Sequence, residues 1–121
     1  MQNLEQIRAR HVWEFSKSDN GKKVKGKDGG GVIKKIPTTI MNHGLLAALA
    51  YSFSGNEGWQ LVFDAIAEHL SSKEIGIIPV GIKSLDALLD HLTDAETTSE
   101  TLKLATDESM KWLEYARRFV Q

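Results

Sequence analysis

The chain has 121 residues, 41% hydrophobic and 26% charged, a composition that fits one globular domain and excludes a disordered chain or two independent cores. It contains no cysteine, which excludes disulfides and thiolate metal sites. The net charge of -1 hides an asymmetry: nine Lys or Arg face four Asp or Glu from Met1 to Lys35, a local +5, whereas six face twelve from Ile36 to Gln121, a local -6. Such a split marks a localised basic surface or an acidic face that meets a basic partner, unless both are ordinary solvated faces.

The opening MQNLEQIRAR lacks the apolar core of a signal peptide, and the longest apolar run, GLLAALAY, is far short of a membrane span. A cytoplasmic, non-membrane protein is expected. From Gln2 to Lys17, Leu4, Ile7, His11, Val12 and Phe15 recur at helical spacing, predicting an amphipathic first helix with Arg8 inside the apolar stripe. On the opposite side Gln6, Arg10, Trp13 and Lys17 line up. An exposed Trp between cations suits a partner contact or stacking on unpaired bases, and the alternative is that another helix covers it.

Asp19 to Gly31 carries five glycines and four lysines without an apolar period, and is expected to be a flexible basic loop over 20–31. Within it, Gly21, Gly26 and Lys27 match G-x-x-x-x-G-K. A phosphate-binding loop also needs a preceding strand, a helix directly after, and a hydroxyl after the lysine to hold magnesium. Here the preceding segment is helical, Asp28 stands in place of the hydroxyl, and Gly29 to Gly31 follow, so a nucleotide site is not expected.

Val32 to Phe53 is apolar nearly all round, with Ile33, Ile36, Ile40, Ala47 and Tyr51 toward one side and Leu45, Leu49 and Phe53 toward another. This predicts a central buried helix that Pro37 either starts or kinks, with His43 buried and in need of a partner. Gly44 inside it costs about 1 kcal/mol relative to Ala. Close approach of another helix is the preferred explanation, and a local break at Asn42 to Gly44 the alternative.

Gly55 and Asn56 end that segment, and Asn56 can cap a helix from Glu57 to Leu70 that buries Trp59, Val62, Phe63, Ile66 and Leu70. SSKEIGIIPVGIK reads as a loop, because no second strand is available to pair with it. Ser84 can cap a short helix through Leu92. Thr93 with Glu96 and Thr97 with Glu100 have capping-box spacing for a last long helix burying Leu102, Ala105, Leu113, Ala116 and Val120, with Lys111, Tyr115 and Arg118 on its outer face. The expected fold is all-α: a single compact domain of about five helices.

No catalytic constellation is visible. His11, His43, His69 and His91 have no metal-type spacing, no G-x-S-x-G elbow is present, and Asp86 and Asp90 lie on the outside of an amphipathic helix. No metal and no cofactor are expected, and the protein is not expected to be an enzyme.

Three stretches, LEQIRARHVWE, KKIPTTIMNHGLLAALAY and TDESMKWLEYARRFV, occur in the order and at the distances of a known family. The chain resembles the small helical subunit of the type III-B CRISPR effector, the fifth-subunit family of the Cmr RNA-targeting complex. In the middle stretch Ile36 takes a position usually held by leucine and His43 lies between Asn42 and Gly44; the final stretch is similar through Trp112, Leu113, Arg118 and Phe119. The resemblance implies a non-catalytic subunit, copies of which stack along a backbone of larger subunits carrying guide RNA and help form the groove for target RNA. The implied partners are the backbone and large Cmr subunits, further copies of itself, and guide and target RNA. Under this reading the candidate RNA contacts are Arg10, Lys17, Lys22, Lys23, Lys25, Lys34, Lys35, Lys111 and Arg118, which would neutralise phosphates without reading sequence. Trp13 and Tyr115 are candidate partner contacts, and Arg8 is assigned to a structural ion pair. A scaffold module without direct RNA contact is the alternative.

Overall fold

In a computed structural model, which describes residues 3–26, 31–54 and 57–120, the chain forms seven α-helices, with no strand among the described residues. They are α1 (Leu4–Lys17), α2 (Asp19–Gly26), α3 (Gly31–His43), α4 (Leu45–Ser52), α5 (Glu57–Ser71), α6 (Leu85–Thr93) and α7 (Ser99–Phe119). The all-α expectation stands. The count of five does not, because two segments divide differently from the expected pattern.

The first concerns the expected flexible loop over 20–31. Its first part, Asp19–Gly26, is helix α2; Lys27, Asp28, Gly29 and Gly30 lie outside the described residues, and Gly31 opens α3. Ser18 explains the local order. Its backbone N–H donates to the Phe15 carbonyl and closes α1, while its Oγ accepts the Gly21 N–H at 3.0 Å and its carbonyl accepts the Lys22 N–H at 3.0 Å, opening α2. Val24 is fully buried and anchors α2 in the core. Gly21 is there for closeness rather than freedom: a Cβ at that position would stand 1.9 Å from the Phe15 carbonyl oxygen.

The second is the expected continuous buried helix from Val32 to Phe53. It is broken at Gly44, whose φ of 92° lies in the left-handed region that favours glycine, and a Cβ there would meet nothing within 4 Å. The alternative of a local break therefore holds, and close helix approach does not explain this glycine. The Gly44 N–H still donates to the Ile40 carbonyl at 2.8 Å, so the chain ends one helix and turns directly into the next. Met41 and His43 at the end of α3 are exposed rather than buried, and so are Ala47, Tyr51 and Phe53 after the break. Pro37 lies inside α3 and does not start it.

The central helix is α5, packed against α2, α3, α4, α6 and α7, while α1 lies along α7. Its Trp59, Val62, Phe63, Ile66 and Leu70 are buried as their spacing predicts, and they meet Val12, Ile33, Ile36, Leu49, Leu88, Trp112 and Leu113 in one core. The expected cap Asn56 lies outside the described residues. Residues 72–84 form turns and loop, as expected, pinned where the Ser71 hydroxyl donates to the Ile82 carbonyl at 2.7 Å and Ile78 is buried. Ser84 caps α6 by accepting the Ala87 N–H. The cap of α7 is Thr98, which accepts the Thr101 N–H at 3.1 Å, and not Thr93 or Thr97. Thr97 instead donates to the His91 carbonyl at the end of α6, so its hydroxyl is already committed. Leu4 of the expected first stripe is half exposed, and Leu102 of the last is half-buried.

Candidate functional site

The candidate basic residues fall into three settings. Lys17 ends α1, Lys22, Lys23 and Lys25 are exposed on α2, and Lys34 and Lys35 are exposed near the start of α3. These six lie on three consecutive helices, of which α1 packs on α2 and α2 on α3. Val24, Val32, Ile33 and Ile36 carry the inward faces of α2 and α3, which leaves the lysines no place but the outside. Lys111 and Arg118 line a shallow groove on α7 with Glu5, Arg8, Glu114 and Tyr115, so carboxylates share that surface. Arg10 is held in an ion pair with Glu74 from the 72–84 segment and lies 3.7 Å from Glu14.

Trp13 is 51% exposed, yet its edge packs on Phe119 with ring centroids 5.4 Å apart, so a helix covers it only in part. The Lys17 ammonium sits 5.3 Å from the indole centroid, a cation–π contact, and Tyr115 also packs on Phe119, at 6.1 Å. Trp13, Lys17, Tyr115 and Phe119 thus form one mixed aromatic and cationic surface across α1 and α7.

The same helices, with α5, hold a polar network that the histidine spacing did not reveal. Arg8 grips Glu108 with two bonds, Nε to Oε2 at 2.7 Å and Nη2 to Oε1 at 2.8 Å, the structural pair its place in the stripe predicts. His69 Nε2 lies 2.9 Å from Glu108 Oε2, and His69 Nδ1 lies 2.7 Å from His11 Nδ1. His11 Nε2 reaches Glu74 Oε1 at 3.2 Å. Burial alone would raise the Glu108 pKa, but the hydrogen bonds from His69 and Arg8 overcome it and bring the carboxyl down to about 2. Burial keeps His69 below the usual histidine range despite Glu108, and the bond to Glu108 raises Arg8. Glu108 sits between Ala105 and Trp112 on the buried face of α7, and that position on the stripe was its one sequence signal.

A cleft of about 490 Å³ is lined by His11 and His69, by the apolar Phe15, Leu61 and Trp112, and by the charged Glu14, Asp64, Glu68 and Lys83. Three carboxylates against one lysine, Lys83, in its lining disfavour an anionic ligand there. Burial raises the Asp64 pKa, opposed by the hydrogen bond it accepts from the Leu85 N–H. No group of three or more His, Asp or Glu is placed to hold a metal among the described residues, and no described helix is long and apolar enough to cross a membrane.

The arrangement defines a small all-helical protein with an ion-paired polar network in its interior, exposed lysines on α1, α2 and α3, and an aromatic patch across α1 and α7. A family model described as CRISPR-associated protein (Cas_Cmr5) matches residues 4–121, and the chain belongs to that family. It is accordingly a subunit of the type III-B CRISPR Cmr complex, with the other Cmr subunits as partners. No curated protein and no solved structure matches the chain.

Proposed function

We infer that this chain is a non-catalytic small subunit of the Cmr effector in antiviral defence, stacking with further copies of itself in the cytoplasm and helping to form the groove for target RNA. The observation that carries this reading is the set of lysines Lys17, Lys22, Lys23, Lys25, Lys34 and Lys35, all exposed on three consecutive helices. Ammonium groups spread over successive turns match the repeating charge of a nucleic-acid backbone and carry no sequence information, which suits a complex in which guide pairing does the reading. Lys111 and Arg118 are weaker contacts, because Glu5 and Glu114 share their groove. Trp13 and Tyr115 supply the aromatic part, for a base or for a neighbouring subunit.

Charge reversal at Lys17, Lys34 and Lys35 in the assembled complex is expected to weaken target-RNA binding at moderate salt. Unchanged binding across salt concentrations would remove these residues from the interface. The scaffold reading is favoured by the exposed apolar side chains Met41, Ala50, Tyr51 and Phe53, which suit protein contact. Crosslinking of the assembly to labelled target RNA separates the two: adducts on this chain support RNA contact, and none would leave the scaffold role.

A further inference from the structure

Glu108, His69, His11 and Glu74 form a continuous row from the interior of α7, through α5 and α1, to the surface segment after α5. The identity of each proton in that row follows from its inner end. Glu108 is ionised, with its pKa down at about 2, and a carboxylate can only accept. His69 therefore carries its proton on Nε2 and donates to Glu108. With His69 held neutral by its burial, His69 Nδ1 has a bare lone pair. At 2.7 Å that lone pair must meet an N–H, so His11 Nδ1 is the donor. A neutral His11 then has no proton on Nε2, and its lone pair points at Glu74 Oε1 only 3.2 Å away. Two acceptors face each other there, relieved only by Arg10 Nη2, which is 3.5 Å from Nε2 and also binds Glu74.

We propose that His11 and Glu74 form a proton-operated latch: uptake of one proton at His11 Nε2 turns this acceptor pair into a charged hydrogen bond and adds a second tie, beside the Arg10–Glu74 pair, between the segment after α5 and α1. The proton comes from solvent and no other bond in the row changes, since the inner bonds already have their donors. A second proton is refused, because an N–H on His69 Nδ1 would confront the N–H of His11. The charged groups around the pair are Arg8, Arg10 and Glu14 from α1, Asp64 and Glu68 from α5, Glu74 and Lys83 from the 72–84 segment, and Glu108 from α7. The latch does not depend on RNA contact.

Nitrogen-detected NMR of the imidazoles in the intact chain, titrated from pH 8 to pH 5.5, tests it. His69 should remain the neutral Nε2–H form throughout. His11 should pass from the neutral Nδ1–H form to the cation, and the amides of Ser72 to Gly76 should move with the same midpoint. Glu74 is exposed, so Glu74→Gln leaves the fold intact; it should weaken proton binding at His11 about two- to fivefold, as for an exposed ion pair, and uncouple the amides. A neutral His11 protonated on Nε2, a proton taken up by His69 instead, or segment amides indifferent to His11 would each overturn the latch.

Discussion

At the scale of single residues the strongest constraint is Glu108. It takes part in three hydrogen bonds from Arg8 and His69 with only 6% of its surface exposed, so its removal strands a guanidinium and an imidazole inside the α1–α5–α7 junction. Glu108→Ala is expected to cost about 3–5 kcal/mol in urea unfolding, the usual result of breaking one side of a buried ion pair. Replacing Arg8, Glu108 and His69 together by apolar residues should cost less than Glu108→Ala alone, since no charge is then left unpaired. The pH dependence has a definite sign. His69 has a lowered folded pKa, so the unfolded chain binds its proton first and stability declines as pH falls below the ordinary histidine value. Glu108, also lowered, adds stability that is complete above the ordinary Glu value of 4.5 and is lost as pH falls from there toward about 2. A melting profile should therefore fall gently below about pH 6.5 and steeply below about pH 4.5, and Glu108→Gln should flatten the steep part. Arg8 was legible in the sequence, because a guanidinium inside an apolar stripe needs a buried anion. Its partner was not, for Glu108 is 100 positions away and only its place on the buried stripe of α7 separates it from the solvated carboxylates Asp107 and Glu114.

At the scale of elements, periodicity served where a helix packs on one side and failed where composition disguised the geometry. The residues α5 buries, and the cap and buried leucines of α6, could be read because their apolar positions repeat and their caps are local. Helix α2 was hidden by its glycines and lysines. Its whole apolar content is Val24, and its reason for existing lies in the Ser18 double cap and the contact with the end of α1. Gly21 and Gly26 separate the two meanings of glycine. Gly21→Ala drives a methyl group into the backbone of Phe15, which cannot rotate away, and is expected to destabilise by at least about 1–3 kcal/mol with loss of α2 packing. Gly26→Ala meets nothing within 4 Å and should be neutral or stabilising by up to about 1 kcal/mol. Equal effects in thermal melts would mean that Gly21 is not in close contact. The Gly44 break escaped periodicity for a different reason: α3 and α4 are both apolar enough that a single stripe can be drawn through them, and only the left-handed backbone at Gly44 shows that the stripe turns.

Over the whole molecule, charge is arranged by what each cation already has as a partner. Arg10 is engaged by Glu74 and lies near Glu14, so in the free protein much of its charge is compensated. Lys22, Lys23, Lys25, Lys34 and Lys35 form no ion pair among the described residues, and Lys17 faces an indole rather than a carboxylate. Sequence counting treated all of these as equivalent, because the glutamate that engages Arg10 is 64 positions away. The difference makes a prediction for the assembled complex. Each phosphate neutralised on a single strand contributes about -0.7 to the slope of log affinity against log salt. Lys17, Lys34 and Lys35 replaced together by alanine should make that slope shallower by about 2, with a nearly uniform loss across target sequences. Arg10→Ala should change it by much less than one contact, because Glu74 competes with phosphate for the guanidinium. An Arg10 effect as large as that of the three lysines would mean that the Arg10–Glu74 pair opens on assembly and that α1, rather than the α2–α3 end, carries the RNA surface.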